Sequence, residues 1–353
     1  MTSASTLGLG LHTFGDVTWG PDGLPLPQAQ VLRNVVAEGV LADQVGVEFF
    51  GVGEHHRDDF AVSAPEVVLA TIAGQTRNIR LGSAVTVLSS DDPVRVFERF
   101  STLDGLSNGR AEVIVGRGSF IESFPLFGLD LTQYEQLFEE RLDLFAELLK
   151  NQPVTWKGET RAALSKQVVY PQIESGSLRT WVGVGGSPES VVRAARYGLP
   201  LMLAIIGGNP LAFVSLVDLY HDSLAKFGQE TKPVGVHSPG YIAATDEEAR
   251  DEAWPHYSAM HARIGRERGW GPMSRASFDK TAGPEGALFV GSPQSVATKI
   301  IKVIGALGLS RFDLKYSIGT LPHEKLMNSI RLFGTEVAPL VREQLAAALP
   351  AAG

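Results

Sequence analysis

Four ionisable side chains, Glu54-His55-His56-Arg57, directly follow an apolar run at residues 49–53, with no spacer between them. An imidazole can exchange a proton near neutral pH, and a neighbouring carboxylate can fix its tautomer. Polar groups at the mouth of a buried strand are costly unless they are hydrogen-bonded or used. The run therefore predicts a site for proton transfer or hydrogen bonding. The alternative is a set of solvated loop residues or a hydrogen-bonded rim.

An arginine stands between two glycines, Gly116-Arg117-Gly118, at the end of another short apolar run. A guanidinium presents a fork of N–H donors that matches a phosphate or a carboxylate. Arg117 is therefore a candidate ligand for an anion, and a structural salt bridge is the alternative.

Two glycine-rich turns lead into helical patterns, at residues 183–190 (Gly-Val-Gly-Gly-Ser-Pro-Glu-Ser) and 291–295 (Gly-Ser-Pro-Gln-Ser). Such turns leave backbone N–H groups free, and the helix N-terminus adds a positive dipole end that stabilises a phosphate. Many helices begin this way without a ligand. The combination of the first turn with Arg117 is what favours a phosphate site there.

Small side chains follow a third apolar run, at residues 81–86 (Leu-Gly-Ser-Ala-Val-Thr). They would let a flat ligand approach the backbone closely, although ordinary strand packing is the favoured explanation when this run is taken alone. Near the N-terminus, His12, Phe14 and Asp16 would line a substrate pocket or belong to an ordinary loop.

The remaining histidines lack the spacing of a metal site; they are His221, His237, His256, His261 and His323. The chain contains no cysteine, which excludes disulfides, thiolate metal ligands and cysteine nucleophiles. We therefore expect no metal centre.

Charge and hydropathy restrict the class of protein further. The net charge of −8 argues against a nucleic-acid surface. No apolar run approaches the roughly 20 residues that span a bilayer, and the first residues do not have the pattern of a secretory signal. We expect a cytoplasmic protein that binds neither nucleic acid nor a membrane.

Short β-like runs alternate with helical patterns along the whole chain, so the residues above fall at strand ends. The β-like runs cover residues 6–11, 47–53, 79–85, 111–115, 180–184, 200–204, 234–243 and 311–316. The helical patterns cover residues 32–45, 65–77, 94–106, 134–149, 188–197, 210–227, 247–261, 293–307 and 321–345. Strands rich in Val, Ile and Leu that alternate with helices predict a parallel sheet, and eight such pairs predict a (β/α)8 TIM barrel.

We expect one domain over residues 1–353, with insertions at about 152–172 and 263–286. The second insertion is rich in glycine and proline, a composition suited to a mobile lid over a site. The catalytic side of such a barrel is formed by the carboxyl ends of its strands. Residues 54–57, Arg117 and the turn at 183–190 should meet on that side.

In this order, the motifs resemble the bacterial luciferase-like family of flavin-dependent monooxygenases over nearly the whole chain. The resemblance is carried by Gly53-Glu54-His55-His56, Ala64-Pro65-Glu66, Ile79-Arg80-Leu81-Gly82, Asp92-Pro93-Val94-Arg95, Leu103-Asp104, Ser107-Asn108-Gly109-Arg110, Gly116-Arg117-Gly118, Phe127-Gly128, Tyr197-Gly198-Leu199-Pro200, Gly291-Ser292-Pro293 and Leu332-Phe333. It implies a TIM barrel with inserted segments that binds a reduced flavin at the carboxyl ends of its strands.

The resemblance also assigns cofactor contacts. It implies that the phosphate of FMN is held by Arg117, Gly186, Ser187 and Ser190.

For the isoalloxazine ring, the resemblance implies contacts with Glu54, Ala84 and Val85, with Val184 nearby. In this family the bond that corresponds to Ala84–Val85 is often a non-prolyl cis peptide, and we expect one here.

His55 corresponds to the catalytic histidine of the family, and His56 to its neighbour. The implied reaction uses reduced FMN as a co-substrate, supplied by a separate flavin reductase, and O2 to oxygenate a small organic substrate. His55 would act as a base or proton donor, and the insertion at 263–286 would close to exclude water. We expect a homodimer or a larger homo-oligomer.

Other functions on the same fold stay open. One is a deazaflavin (F420)-dependent oxidoreductase, although we expect that branch to lack the Glu-His-His run. Another is a flavin-binding protein without turnover. The luciferase alpha subunit has a cysteine where this chain has Gly116. That difference argues against light emission and against an alpha–beta heterodimer. The organic substrate is not determined by these motifs.

Overall fold

Eight parallel strands close into a barrel in the computed structural model, which describes residues 7–174 and 176–348. The strands are β1 (Gly8–Thr13), β2 (Phe49–Val52), β3 (Arg80–Ser83), β4 (Ala111–Gly116), β5 (Arg179–Val184), β6 (Leu201–Ala204), β7 (Val234–Ile242) and β8 (Arg311–Lys315). Each strand pairs with its neighbours in the chain, and β8 pairs with β1, with Leu9 opposite Phe312. The predicted (β/α)8 barrel is confirmed.

Helices cover the barrel. They are α1 (Gln28–Gln44), α2 (Pro65–Ala73), α3 (Pro93–Ser107), α4 (Tyr134–Leu148), α5 (Pro188–Arg196), α6 (Val214–Lys226), α7 (Asp246–Arg268) and α8 (Pro293–Leu307). Of these helices, one follows each of the strands β1 to β6, and two, α7 and α8, lie between β7 and β8. Two helices at the end of the chain, α9 (His323–Leu332) and α10 (Ala338–Ala348), are joined by a π-helical turn at Phe333–Val337. No helix in the described part of the chain is both long and apolar enough to span a membrane.

All eight predicted strands are the barrel strands, with ends that differ by a few residues. Residue 6 of the first predicted run lies outside the described residues. Short pieces were missed because two to four residues show no periodicity. They are the strand Thr86–Val87 beside β4, the strand Phe289–Gly291 beside β7, and a hairpin of Val154–Trp156 with Leu164–Gln167 inside the predicted insertion at 152–172.

The segment at residues 263–286 is largely helical. Helix α7 continues to Arg268, and a further helix spans Arg275–Ala282, whose Phe278 is fully buried. Gly269, with a φ of 71°, ends α7 in the left-handed conformation. The glycines of this segment therefore mark helix ends more than a continuous loop.

The interior of the barrel contains an apolar cluster of its own, separate from the main core. Its members are Phe49, Ala84, Ile114, Trp181 and Met202. Strand residues alternate in direction, so one set packs against the helices and the other fills the barrel. This inner cluster forms part of the floor beneath the carboxyl ends of the strands.

Candidate active site

A cavity of about 320 Å³ opens at the carboxyl ends of the strands. Residues at or after the ends of six strands, β1 to β6, contribute to its wall, together with His237 from within β7. Its size lies within the usual range of ligand pockets, roughly 300–1,000 Å³. Of the residues predicted to form a site, the cavity is lined by Glu54, His55, His56, Ala84, Val85, Arg117, Val184 and Ser190. Gly186 and Ser187 do not line it, but lie in the turn between Gly185 and Ser190, which do.

Glu54 and His56 form a fixed pair in the wall. The Nε2 atom of His56 lies 2.8 Å from Oε1 of Glu54, and Oε2 of Glu54 accepts the backbone N–H of Val87 at 2.8 Å. Both carboxylate oxygens are therefore engaged, and the carboxylate orients the ring of His56. The strand pair Thr86–Val87 with β4 is what brings Val87 to this place.

His55 lies among aromatic rings. Its ring centroid is 4.6 Å from that of Phe14, 4.3 Å from Phe60 and 5.6 Å from Phe120. Its Nδ1 atom is buried and has no hydrogen-bond partner within the described residues. Burial lowers the pKa of His55 to about 3. The imidazole is consequently neutral near pH 7, and its Nδ1 is available to a bound molecule.

Several charges around His55 also act on its pKa. The carboxylate of Asp16 favours the protonated ring, whereas the cations of Lys315 and Arg57 disfavour it. Asp16 itself does not line the cavity, because its oxygens accept Nζ of Lys315 at 2.8 and 3.0 Å. Of the three residues considered for a substrate pocket near the N-terminus, His12 and Phe14 line the cavity and Asp16 does not.

The peptide bond between Ala84 and Val85 is cis, as predicted. Ala84 is buried and Val85 packs against the inner apolar cluster, so the two residues present an apolar surface to the cavity. Gly183 on β5 leaves room for the side chain of Val85, because a Cβ atom at Gly183 would lie 2.9 Å from Cγ1 of Val85. In the run at residues 81–86, Gly82 also serves close packing, because a Cβ atom there would lie 2.6 Å from the carbonyl oxygen of Glu112. The approach of a flat ligand to these residues stays a prediction.

Arg117 and the start of α5 form a cationic end of the cavity. The guanidinium of Arg117 pairs with Glu135 and lies 5.6 Å from the centroid of the Tyr134 ring. Ser187 caps α5 by accepting the N–H of Ser190 at 3.3 Å. The hydroxyl of Ser190 is buried and unpartnered among the described residues. A helix N-terminus, an arginine and a free hydroxyl together suit a phosphate.

Two histidines meet at the floor of the cavity. The Nδ1 atoms of His12 and His237 are 2.9 Å apart, and Nε2 of His12 lies 2.9 Å from Oδ2 of Asp313. Sequence reasoning had considered His237 only as a metal ligand. The alternation of inward residues along β7 is the signal that places it inside the barrel. No group of His, Asp and Glu among the described residues could hold a metal ion.

The end of α7 lies against the loops at the mouth. Arg57 donates to both oxygens of Glu267, at 2.7 and 2.9 Å, and Nη2 of Arg268 donates to the carbonyl of Ser119 at 2.9 Å. The guanidinium of Arg268 also lies 5.2 Å from the ring centroid of Phe120. Part of the segment predicted as a lid therefore borders the cavity.

A family model described as luciferase-like monooxygenase matches residues 14–310 of the chain. The alkanal monooxygenase alpha chain of Photorhabdus luminescens is 23% identical over an alignment of 360 positions, gaps included, which covers 90% of this chain and 93% of that one. The oxygenating constituent of 3,6-diketocamphane monooxygenase from Pseudomonas putida, solved with FMN, matches with a TM-score of 0.75 and 17% identity over 94% of this chain and 98% of that one. The coenzyme F420-dependent tetrahydromethanopterin reductase of Methanopyrus kandleri matches with a TM-score of 0.71 and 19% identity, over 94% and 99%.

Proposed function

Because the chain belongs to the luciferase-like monooxygenase family, we propose that it uses reduced FMN and O2 to oxygenate a small organic substrate. The observation that carries the proposal is one cavity with a cationic end at Arg117 and an apolar surface at Ala84–Val85. A phosphate and a flat ring need these two environments side by side. We place the protein in the cytoplasm, with a separate flavin reductase as the supplier of reduced FMN.

In this proposal the phosphate is bound by Arg117, Gly186, Ser187 and Ser190. The free hydroxyl of Ser190 supports the assignment, because a buried donor without a partner is costly unless a ligand satisfies it. Gly186 has a φ of 118°, which only glycine adopts readily, and it shapes the turn before α5. Arg117 and Ser187 pair with Glu135 and Glu189 in the structure, so a bound phosphate would replace these carboxylate contacts.

The isoalloxazine ring would lie against Ala84 and Val85, with Val184 and the Glu54–His56 pair beside it. Bound reduced flavin would supply the two electrons that the reduction of O2 requires. The apolar wall would keep water away from the reacting atoms. Glu54 is held by Val87 on one side and His56 on the other, so its position is defined before any ligand binds.

His55 would contact the reacting groups as a neutral ring. With a pKa of about 3 it is a weak base at neutral pH. Its unpartnered Nδ1 suits a single hydrogen bond to a bound group. We therefore assign it a hydrogen-bonding role in place of the proton transfer that the sequence suggested. His56, oriented by Glu54, would support the same wall.

The test of the proposed function is titration of the purified protein with FMN, reduced FMN and reduced F420. Binding of FMN or reduced FMN without binding of F420 supports the proposal. Binding of F420 alone would establish the deazaflavin-dependent alternative, for which the fold of the F420-dependent reductase provides a precedent. Flavin binding with no oxygenation of any substrate would indicate a non-catalytic flavin protein.

Substitution of His55 by alanine should leave flavin affinity within about twofold and lower turnover by about 10²-fold, a typical cost of losing one preorganised hydrogen-bond donor at a reacting group. Product formation per reduced flavin, measured by mass spectrometry, gives the turnover. The matched control is His221→Ala, an exposed histidine on α6. Unchanged turnover in His55→Ala would remove this residue from the mechanism.

The pH dependence follows from the same ring. The group is neutral above its pKa of about 3, so the contribution of His55 to turnover should be constant between about pH 5 and pH 9. A wild-type inflection near pH 6.5 that disappears in His55→Ala would show that the ring titrates near its ordinary pKa, contrary to this assignment.

We also propose that the chain forms a homodimer through α2 and α3. Exposed apolar side chains line a groove between these helices: Val67 is 67% exposed, Leu106 65% and Tyr170, from the inserted segment, 68%. Exposed apolar surface of this kind often marks an interface. Leu106→Glu should shift the protein to a monomer in light scattering after size-exclusion chromatography. Leu24→Glu, equally exposed at 61% but outside the groove, is the control. A dimer that persists in Leu106→Glu would contradict this surface.

A further inference from the structure

The pair His12–His237 at the cavity floor has no role in the mechanism described so far. His237 lines the cavity, and its Nδ1 faces His12 at 2.9 Å. The other ring nitrogen, Nε2, lies on the opposite edge of the imidazole. No hydrogen bond to it is formed within the described residues. His237 therefore has one nitrogen held by the protein and one left for a molecule in the cavity.

The charge of Asp313 determines where the ring hydrogens of His12 and His237 are placed. Burial alone would raise the pKa of the Asp313 carboxyl, but the guanidinium of Arg311 and the ring of His12 hold it below its ordinary value. Asp313 is consequently an acceptor only. Nε2 of His12 lies 2.9 Å from Oδ2 of this acceptor, and we place the ring hydrogen of His12 on that nitrogen. The other ring nitrogen, Nδ1, is then an acceptor.

The contact between the two rings needs a single hydrogen between two nitrogens. Because Nδ1 of His12 accepts, Nδ1 of His237 must donate. Burial lowers the pKa of His237 to about 3, so this ring is neutral at pH 7. Nε2 of His237 therefore presents a lone pair to the cavity, and its tautomer is determined by Asp313 through His12.

The packing of the barrel holds this arrangement in place. Gly10 on β1 lies opposite Asp313, and a Cβ atom there would approach Oδ1 to 2.1 Å. The ring of His12 is also in edge contact with Phe49, at 5.4 Å between centroids. His12 is 1% exposed and Asp313 0%, so water does not compete for these hydrogen bonds.

We infer that His237 binds a hydroxyl group of the substrate, so that the substrate class is a hydroxylated organic compound, for which a phenol is the probe used below. The inference rests on the proposed function for the identity of the bound molecule as substrate. The O–H group donates to Nε2 of His237.

His237 is the residue that contacts the substrate in this inference. His12 and Asp313 are positioning residues, because they act only through the ring of His237.

The first test measures selectivity for an O–H group in the full chain without added flavin. The probes are 4-nitrophenol and its methyl ether 4-nitroanisole, with affinities from calorimetry at a pH below the pKa of the phenol. The wild-type protein should bind the phenol about tenfold tighter, as one hydrogen bond implies. In His237→Phe the two affinities should become equal, and in the control His221→Phe the preference should remain. Equal affinities in the wild type, or an unchanged preference in His237→Phe, would overturn the inference.

The second test reads the tautomers directly. Two-bond 1H–15N spectra of the histidine rings should show His237 protonated at Nδ1 and His12 at Nε2, with assignments from the single variants. In Asp313→Asn, the amide can donate to His12 and reverse the chain, so His237 should become protonated at Nε2 and lose its preference for the phenol. His237 protonated at Nε2 in the wild type would contradict the inference.

These tests are separate from the test of the proposed function. Neither needs bound flavin, so failure of flavin binding would overturn the proposed function and leave the hydroxyl selectivity to be judged by itself. If flavin binds but the preference for the phenol does not depend on His237, the inference alone fails.

Discussion

Replacement of Arg311 by alanine is expected to lower the free energy of unfolding by about 3–5 kcal/mol, the usual cost of removing one partner from a buried ion pair. Arg311 is 2% exposed and pairs with two fully buried carboxylates, Glu112 and Asp313. Its guanidinium also lies 3.7 Å from the ring centroid of Phe49. Without it, Asp313 would keep only the ring of His12, and Glu112 only the more distant Arg80, at 4.0 Å. Urea denaturation followed by circular dichroism gives the change.

The control is Arg275→Ala, which removes an arginine that is 40% exposed and pairs with Asp251 and Asp279. A pair in contact with water contributes about 0–1 kcal/mol, so this variant should be close to the wild type. A loss below about 1 kcal/mol in Arg311→Ala would mean that water or rearrangement compensates the buried carboxylates.

Arg311→Ala should also change how the free energy of unfolding depends on pH in the acid range. The pKa of Asp313 in the folded protein lies below its pKa in the unfolded chain. Its contribution to the free energy of unfolding is therefore present at pH values above the unfolded-state pKa, and is lost as the pH falls through the folded-state pKa. Removal of Arg311 takes away the main charge that lowers this pKa. The acid-unfolding midpoint of Arg311→Ala should therefore lie at a higher pH than that of the wild type.

Arg117→Ala is expected to weaken FMN binding by about 10- to 150-fold, which corresponds to the roughly 1.5–3 kcal/mol of a hydrogen bond to a charged group. Quenching of flavin fluorescence gives the dissociation constants. The affinity for riboflavin, which lacks the phosphate, should change little. Equal losses for FMN and riboflavin would show that Arg117 contacts the ring or supports the fold, and not the phosphate.

A nearby arginine provides the matched control for this variant. Arg196 is on α5, pairs with Glu139 and is 52% exposed, and it does not line the cavity. Arg196→Ala removes the same charge from the same region and should leave the FMN affinity nearly unchanged. Glu135, freed in Arg117→Ala, remains 3.2 Å from Arg193, so the substitution does not leave it without a cation.

Local patterns in the sequence were sufficient for the barrel. Strands bury alternate residues and helices bury one face, so both produce short periodic runs of apolar residues in the sequence. The eight strands could therefore be identified within a few residues of their ends. Strand ends in such a barrel share one face, which is why residues 54–57, Arg117 and the turn before α5 could be expected near one cavity. The resemblance to a known family added the individual assignments.

Pairs of groups that meet through the closed barrel could not be found in this way. His12, His237 and Asp313 are far apart in the chain, and their contact depends on the pairing of β8 with both β1 and β7. Likewise, the neutrality of His55 follows from its burial among the rings of Phe60, in its own loop, and of Phe14 and Phe120, which come from two further loops. A pKa reflects every neighbour in space.

The sequence by itself therefore determined the architecture and the face on which the chemistry lies, because periodicity and strand order are local properties of the chain. Only the tertiary structure decided the state of each group in the site. It made His55 a neutral ring, engaged both oxygens of Glu54, and joined His237 to Asp313 through His12. Protonation and hydrogen bonding depend on burial and on distances of about 3 Å between residues distant in the chain, and these arise only when the barrel closes.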